Sequence, residues 1–303
     1  MNDRPPPSPP DVQLVTFDAI MPAAIAARAE DAGVTRAALD PLTLLVLSLL
    51  AGAFVSFGAI AATTMGAGAG NMPFGVVRLL IGIVFCTGLI MVVIGGAELF
   101  TGNNLIVIAW ASGRVKSSDV LFNWVVVYLG NVAGGIVTAA LMFYTTQYTF
   151  DSGSVGLVAL ATANAKSSFA FIPALTLGIM CNVLVCLAVW MCYSARTNVD
   201  RILTLVPPVA AFAMAGFEHC IANAYFIPFG LFVKAGAPES FWAAIGKTPA
   251  DFPNLTWSNF VFGNMLPVTL GNVIGGSILV AAVYWFVYLR GSGMRRQSDA
   301  ERS

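Results

Sequence analysis

Charge is what this sequence has least of. Asp, Glu, Lys and Arg make up 10% of its 303 residues, while 58% are hydrophobic; a soluble domain carries roughly a quarter charged residues. A water-soluble fold of this length has no interior large enough to hide so much apolar surface. The 15 basic and 15 acidic side chains cancel, so there is no electrostatic case for a nucleic-acid partner. Histidine is nearly missing, since His219 is the only one. Without a second histidine or clustered carboxylates, neither a metal cage nor a nucleophile–base pair can be assembled, so no enzyme activity, metal or other cofactor is expected. The five cysteines, Cys86, Cys181, Cys186, Cys192 and Cys220, are odd in number, fall inside apolar stretches and lack metal-site spacing. They read as small buried hydrophobes.

What the chain has instead is long apolar runs. A helix needs about 20 mostly apolar residues to cross a bilayer, and six such spans are found near 41–64, 76–112, 119–145, 169–192, 202–234 and 265–289, the second and fifth interrupted. The expected fold is an all-α membrane protein with a six-helix transmembrane domain at 39–290. It is flanked by a partly disordered N-terminal segment, 1–38, with a proline-rich stretch at Pro5–Pro10, and by a C-terminal tail, 291–303. No cleavable signal sequence is expected before the first span. Arg114 and Lys116, Arg196 and Arg201, and Arg290, Arg295 and Arg296 follow the second, fourth and sixth spans. All fall on one side of a six-span chain. The other side mixes Lys166, Lys234 and Lys247 with Asp151, Glu239 and Asp251. The Lys/Arg bias therefore places both termini in the cytoplasm of a cell (inner) membrane.

The sequence also repeats itself. Gly96-Ala97-Glu98-Leu99-Phe100-Thr101-Gly102-Asn103 in the second span matches Gly216-Phe217-Glu218-His219-Cys220-Ile221-Ala222-Asn223 in the fifth. Gly130-Asn131-Val132-Ala133-Gly134-Gly135 in the third matches Gly271-Asn272-Val273-Ile274-Gly275-Gly276 in the sixth. Two motifs in the same order define two halves of three spans each. Three is odd, so the halves enter the membrane from opposite sides: the repeat is inverted, with a broken helix in each half and a solute site where the breaks meet. The glycines of the third and sixth spans read as helix-packing residues.

Polar groups inside the spans are the candidates for function. Carboxylates in hydrocarbon are kept for function or for a satisfied internal bond. Glu98 and Glu218, with Asn103 and Asn223, are expected to pin the broken loops by accepting backbone N–H bonds. His219 follows a break, where its imidazole lines a cavity and can donate to an anion or exchange a proton with it. Thr101, three residues after Glu98, can donate to the same anion or accept from His219, the local alternative being a bond to its own backbone. Lys166 either draws anions towards the pathway or snorkels to the interface. Asn182 is either a pathway donor or an interhelical bond. Phe85, Leu89 and Phe212 flank the breaks and, taken alone, read as packing.

The Gly96–Gly102 and Gly216–Asn223 stretches, with Asn182 and Leu187-Ala188-Val189-Trp190, resemble the hallmark sequences of the formate/nitrite transporter family, and the likeness runs on to Tyr284-Trp285 over about 250 residues. The resemblance implies an aquaporin-like protomer in a homopentamer, each protomer with its own pore. It further implies that Thr101, Lys166, Asn182 and His219 line a central chamber. Two apolar constrictions would bound it, Phe85 and Leu89 on one side, Phe212 and Val185 on the other. The implied partners are a small monovalent anion, protons and the lipid bilayer. Cys181–Trp190 and Phe226–Gly230 look like formate members, whereas Leu99-Phe100-Thr101-Gly102 also resembles nitrite members. A bare anion loses hydration at an apolar constriction, so Lys166 would attract it and His219, coupled to Thr101, would help it gain a proton. A neutral-solute channel fits the broken-helix pattern too, although an Asn-Pro-Ala signature is absent.

Overall fold

The computed structural model describes residues 19–70 and 72–291, which form helices and their connections with no strand among them. The Pro5–Pro10 stretch, Arg295, Arg296 and nearly all of the 291–303 tail lie outside the described residues. In chain order the helices are α1 (Pro22–Ala37), α2 (Pro41–Gly66), α3 (Phe74–Gly95), α4 (Phe100–Ala111), α5 (Ser117–Tyr144), α6 (Ser154–Lys166), α7 (Phe171–Cys192), α8 (Asn198–Ala215), α9 (Cys220–Gly236), α10 (Glu239–Ile245) and α11 (Asn259–Tyr288). α4 is irregular, passing through a 3₁₀ turn at Asn104–Ile106, and α11 holds two π-helical stretches, Asn259–Met265 and Ile274–Ala282. Among the described residues α2, α3, α5, α7 and α11 are each long and apolar enough to cross a membrane; α8 and α9 together make a sixth path bent by 49°. The interrupted second span thus divides unequally. α3 already has 22 residues, and α4 is a shorter apolar helix beyond the break.

The two breaks have the same backbone. Gly96 (φ 76°, ψ 29°) ends α3 and Gly216 (φ 77°, ψ 27°) ends α8, both left-handed. That conformation costs a residue with Cβ but not glycine. Three residues on, Leu99 and His219 are extended before the next helix starts.

Packing follows the repeat. α2 lies against α3 and α5, α7 lies against α8 and α11, and the halves join where α3 meets α8 and α5 meets α9. Close approach occurs where the sequence places glycine: Gly130 and Gly134 of α5 face Ser48 and Leu49, and Gly271 and Gly275 of α11 face Leu175 and Ile179. Bilayer lipid is as apolar as leucine, so such backbone-to-backbone contact holds the helices together. α1 and α6 occupy matching places, each joined by a short turn to the first span of its half. α1 rests on the second part of α4 through Gly33 against Ala109 and Ile106. The end of α2 meets α6, with Gly68 N–H donating to Ser154 Oγ at 3.1 Å. The two ends of the molecule are therefore an N-terminal face carrying α1 and a far face carrying α6.

A Cβ at Gly134 or Gly275 would strike the carbonyl oxygen of Leu49 or Ile179. Gly134→Ala and Gly275→Ala should each destabilise the purified protein by about 1–3 kcal/mol through overpacking. The check is the thermal unfolding midpoint in detergent, which falls for both.

Candidate functional site

Cutting a helix inside a membrane leaves backbone N–H and C=O groups with no partner. Two side-chain clamps of one design answer this. Asn131 Oδ1 accepts from Phe100 N–H at 2.8 Å while its Nδ2 donates to Ser48 O at 2.7 Å and Glu98 O at 2.9 Å. In the other half Asn272 Oδ1 accepts from Cys220 N–H at 3.0 Å and Nδ2 donates to Gly178 O at 2.8 Å and Glu218 O at 3.0 Å. The break peptides also tie to the first span of each half, Glu98 N–H to Leu47 O and Glu218 N–H to Leu177 O, both at 3.3 Å.

The carboxylates are held by side chains rather than by the backbone N–H groups expected from the sequence, because the asparagines already take the orphaned backbone. Asn103 Nδ2 donates to Glu98 Oε2 and Asn223 Nδ2 donates to Glu218 Oε2, both at 2.7 Å. Each carboxylate also faces a cation. Lys166 Nζ lies 2.7 Å from Glu218 Oε1, and Arg36 Nε lies 3.6 Å from Glu98 Oε1. The cations are themselves anchored alike: Asn123 Nδ2 donates to Arg36 O at 3.1 Å and Asn264 Nδ2 donates to Lys166 O at 2.8 Å. Arg36 ends α1 as Lys166 ends α6, so the repeat includes these two helices.

A cavity opens towards each break. The far-face cavity, about 310 Å³, is lined by Phe85, Lys166, Phe212, Glu218 and His219 among others. The cavity on the N-terminal face, about 220 Å³, is lined by Arg36, Leu89, Val92, Glu98 and Leu99 among others. Phe85 and Phe212, which the resemblance assigns to opposite constrictions, meet edge to face with ring centroids 5.6 Å apart. Leu89 lines the other cavity, and Val185, 1% exposed, lines neither described cavity. The reason is helical rise. α3 runs away from the far face, so Leu89 sits one turn, about 6 Å, beyond Phe85. α8 runs the opposite way and brings Phe212 to Phe85 near its end.

Between the cavities the two breaks touch. His219 Nε2 lies 2.9 Å from Thr101 Oγ1, and both residues are buried. His219 is also the N-cap of α9: its Nδ1 accepts the Ala222 N–H at 3.0 Å. That bond fixes the neutral tautomer with hydrogen on Nε2, which therefore donates to Thr101. Phe212 stacks beside the imidazole at 6.0 Å. Asn182 bonds between helices, its Nδ2 donating to Thr101 O at 3.3 Å and Asn272 O at 2.7 Å. Cys186 Sγ donates to the same Thr101 carbonyl at 3.3 Å. Lys166 is ion-paired to Glu218 and lies 5.4 Å from the Phe226 ring centroid. Sequence reasoning missed Arg36, Asn131 and Asn272. The only available signal for the asparagines was a polar residue recurring inside an apolar packing motif.

An inverted repeat whose two broken helices meet between opposed cavities defines a multi-pass membrane transport protein. The family described as formate/nitrite transporter matches residues 23–286, and this chain belongs to that family. It is 45% identical to the formate channel FocA of Escherichia coli K12 over 274 residues, 90% of this chain and 96% of that protein. It is 35% identical to a probable formate transporter of Methanothermobacter thermautotrophicus over 263 residues, 82% of this chain and 89% of the other. A pentameric formate channel solved with formate bound matches with a TM-score of 0.79 and 44% identity, covering 82% of this chain and 98% of that one.

Glu218 is 2% exposed, so removing its cation strands a buried charge. Lys166→Met should cost about 3–5 kcal/mol. Adding Glu218→Gln should restore most of that loss, as measured by the thermal midpoints of the single and double variants.

Proposed function

We propose that this chain conducts formate across the cell (inner) membrane as a homopentamer, one pore per protomer, with both termini in the cytoplasm. The names of its relatives support the substrate and the assembly. Arg114, Lys116, Arg196 and Arg290 in connections and Arg201 in the first turn of α8, all at the N-terminal face, support the orientation. The observation that carries the reading is the Thr101–His219 hydrogen bond, because it places a chain of polarised donors where the breaks meet.

The anion enters past Phe85 and Phe212, where it sheds water at a cost of several kcal/mol. Donors at the breaks offset that loss. With Nε2–H of His219 donating into Thr101 Oγ1, the Thr101 hydroxyl hydrogen has no acceptor among the described residues and points its polarity outward to the carboxylate of the solute. Formate suits the site because it is small and needs few donors. The neutral imidazole supports channel-like anion passage near neutral pH. A second proton on His219 would set Nδ1–H against the Ala222 N–H and remove the cap of α9, worth about 1 kcal/mol. Proton exchange with the solute is thus coupled to loosening the first turn of α9, and acid shifts passage towards formate accompanied by a proton.

Uptake of radiolabelled formate by proteoliposomes across pH tests this. Wild type should change its flux as His219 charges, and His219→Asn should lose that pH dependence; an unaltered profile in the variant would sink the proton role. In the same vesicles formate should outcompete nitrite, acetate, lactate and hydrosulfide. Nitrite as the stronger competitor would reassign the substrate, and glycerol permeation without anion flux would overturn the anion reading.

A further inference from the structure

Each cavity is lined by two cations and one carboxylate, and in each the carboxylate already has a partner. On the far face Glu218 is paired with Lys166, and the remaining cation is Arg78 of α3. On the N-terminal face Glu98 is paired with Arg36, and the remaining cation is Arg201 of α8. Neither Arg78 nor Arg201 has a carboxylate within 4.0 Å among the described residues. They occupy related places, each within the first two turns of a span that ends at a break, and each opens onto the cavity at its own starting face.

The setting of Arg78 shows what its charge does. α8 ends in the far-face cavity, so its last carbonyls and the negative end of its dipole are turned towards anything entering. Arg78 covers them: Nε donates to Met214 O at 2.8 Å and Nη2 donates to Ala213 O at 2.7 Å. Gly216 makes room for it, because a Cβ there would lie 3.1 Å from Nη2. A guanidinium has five N–H donors, and the carbonyls take two. The other three have no acceptor among the described residues.

We infer that Arg78 on the far face and Arg201 on the N-terminal face are the anion-recruiting groups of the two vestibules, whereas Lys166 and Arg36 are counterions that silence the buried carboxylates. The inference rests on the proposed passage of a small monovalent anion. It assigns to each mouth one unpaired arginine whose free donors take the entering carboxylate or oxyanion. A cleft lined by one sign of charge raises the local concentration of the opposite ion, an effect that salt weakens. Arg78 has a second part to play, since without it the entering anion would face the bare carbonyls of Ala213 and Met214.

The test is initial formate flux into and out of proteoliposomes of defined orientation, against formate concentration and ionic strength. Arg78→Gln should raise the apparent KM for entry from the far face by roughly three- to tenfold, the size of one partly screened charge. Its salt dependence should flatten, with maximal flux and the KM for entry from the other face retained. Arg201→Gln should show the mirror pattern. Arg78→Lys restores the charge but cannot span both carbonyls, so it should recover the KM even if its thermal midpoint falls. That variant also decides the matter if Arg78→Gln does not fold. Unchanged KM and salt slope in folded Arg78→Gln, or a KM in folded Arg78→Lys as high as in Arg78→Gln, would overturn the inference. A wild type that moves no anion at all would instead refute the proposed function.

Discussion

An α-helix interrupted in hydrocarbon leaves polar backbone that water cannot reach, and the whole molecule is arranged around satisfying it. Each break exposes a glycine-ended C-terminus, an extended link and a new N-terminus. One asparagine, Asn131 or Asn272, reaches across from the third span of its half to accept from the new helix and donate to two carbonyls. To do so its own helix must touch the first span, which is why Gly134 and Gly275 have no side chain. The carboxylates follow from the same need. Glu98 and Glu218 fix Asn103 and Asn223 at the start of the new helices, and being buried they each demand a cation. Arg36 and Lys166 supply it, and so α1 and α6 must pack where they do. Glycine, asparagine, carboxylate and cation are one dependency, present twice.

The scaffold is two-fold in design but not in chemistry. Leu99 stands where the second half has His219, and Ile221 stands where the first half has Thr101. Were either half repeated exactly, each break would set Thr against Leu or Ile against His, and no polar pair would form. The actual sequence gives a single Thr–His bond, and the N-cap of α9 orients it by holding Nδ1 as an acceptor. The irregular course of α4 belongs to the same asymmetry. Its 3₁₀ turn leaves the carbonyls of Phe100 and Thr101 to side chains, namely Asn104, Asn182 and Cys186. α9 runs from Cys220 to Gly236 without a 3₁₀ turn, and its one interior interruption of the donor ladder is Pro228. Thr101 is therefore positioned from the second half of the chain, which ties the geometry of one break to the packing of the other.

Much of this was legible in the sequence, and the part that was not shares one physical feature. The spans, the inverted repeat and the placing of His219 and Thr101 at the breaks follow from local signals: apolar length, motif recurrence, and a polar side chain where hydrocarbon should be. Contacts between distant segments, apart from the Thr101–His219 bond that the repeat suggested, were not legible. Arg78 reads as an ordinary interfacial residue until the fold brings it to carbonyls 135 and 136 residues away. Arg36 lies before the first span and shows its role only as the mirror of Lys166. Asn131 and Asn272 sit within glycine motifs whose packing role hides them. The assignment of Phe85 and Phe212 to opposite constrictions failed for a related reason, because α3 and α8 run antiparallel and the crossing point decides which turns face each other.

Charge silencing explains how a path containing two glutamates can suit an anion. Removing the carboxylates would leave Asn103 and Asn223 held only by Asn123 and Asn264 and so loosen both breaks. Left bare, each carboxylate would repel an anion in a region of low dielectric, where a unit charge acts over several ångströms. Pairing with Lys166 and Arg36 balances the charge of each carboxylate, and Asn103 and Asn223 add an amide donor to each. In the proposed pathway the solute then meets mainly donors, the spare guanidinium N–H groups of Arg78 and Arg201 at the two mouths, with the buried Thr101–His219 pair between them. The proposed selectivity for anions is thus a consequence of how the broken helices are held, since the residues that satisfy the backbone also decide which sign of charge the pathway presents.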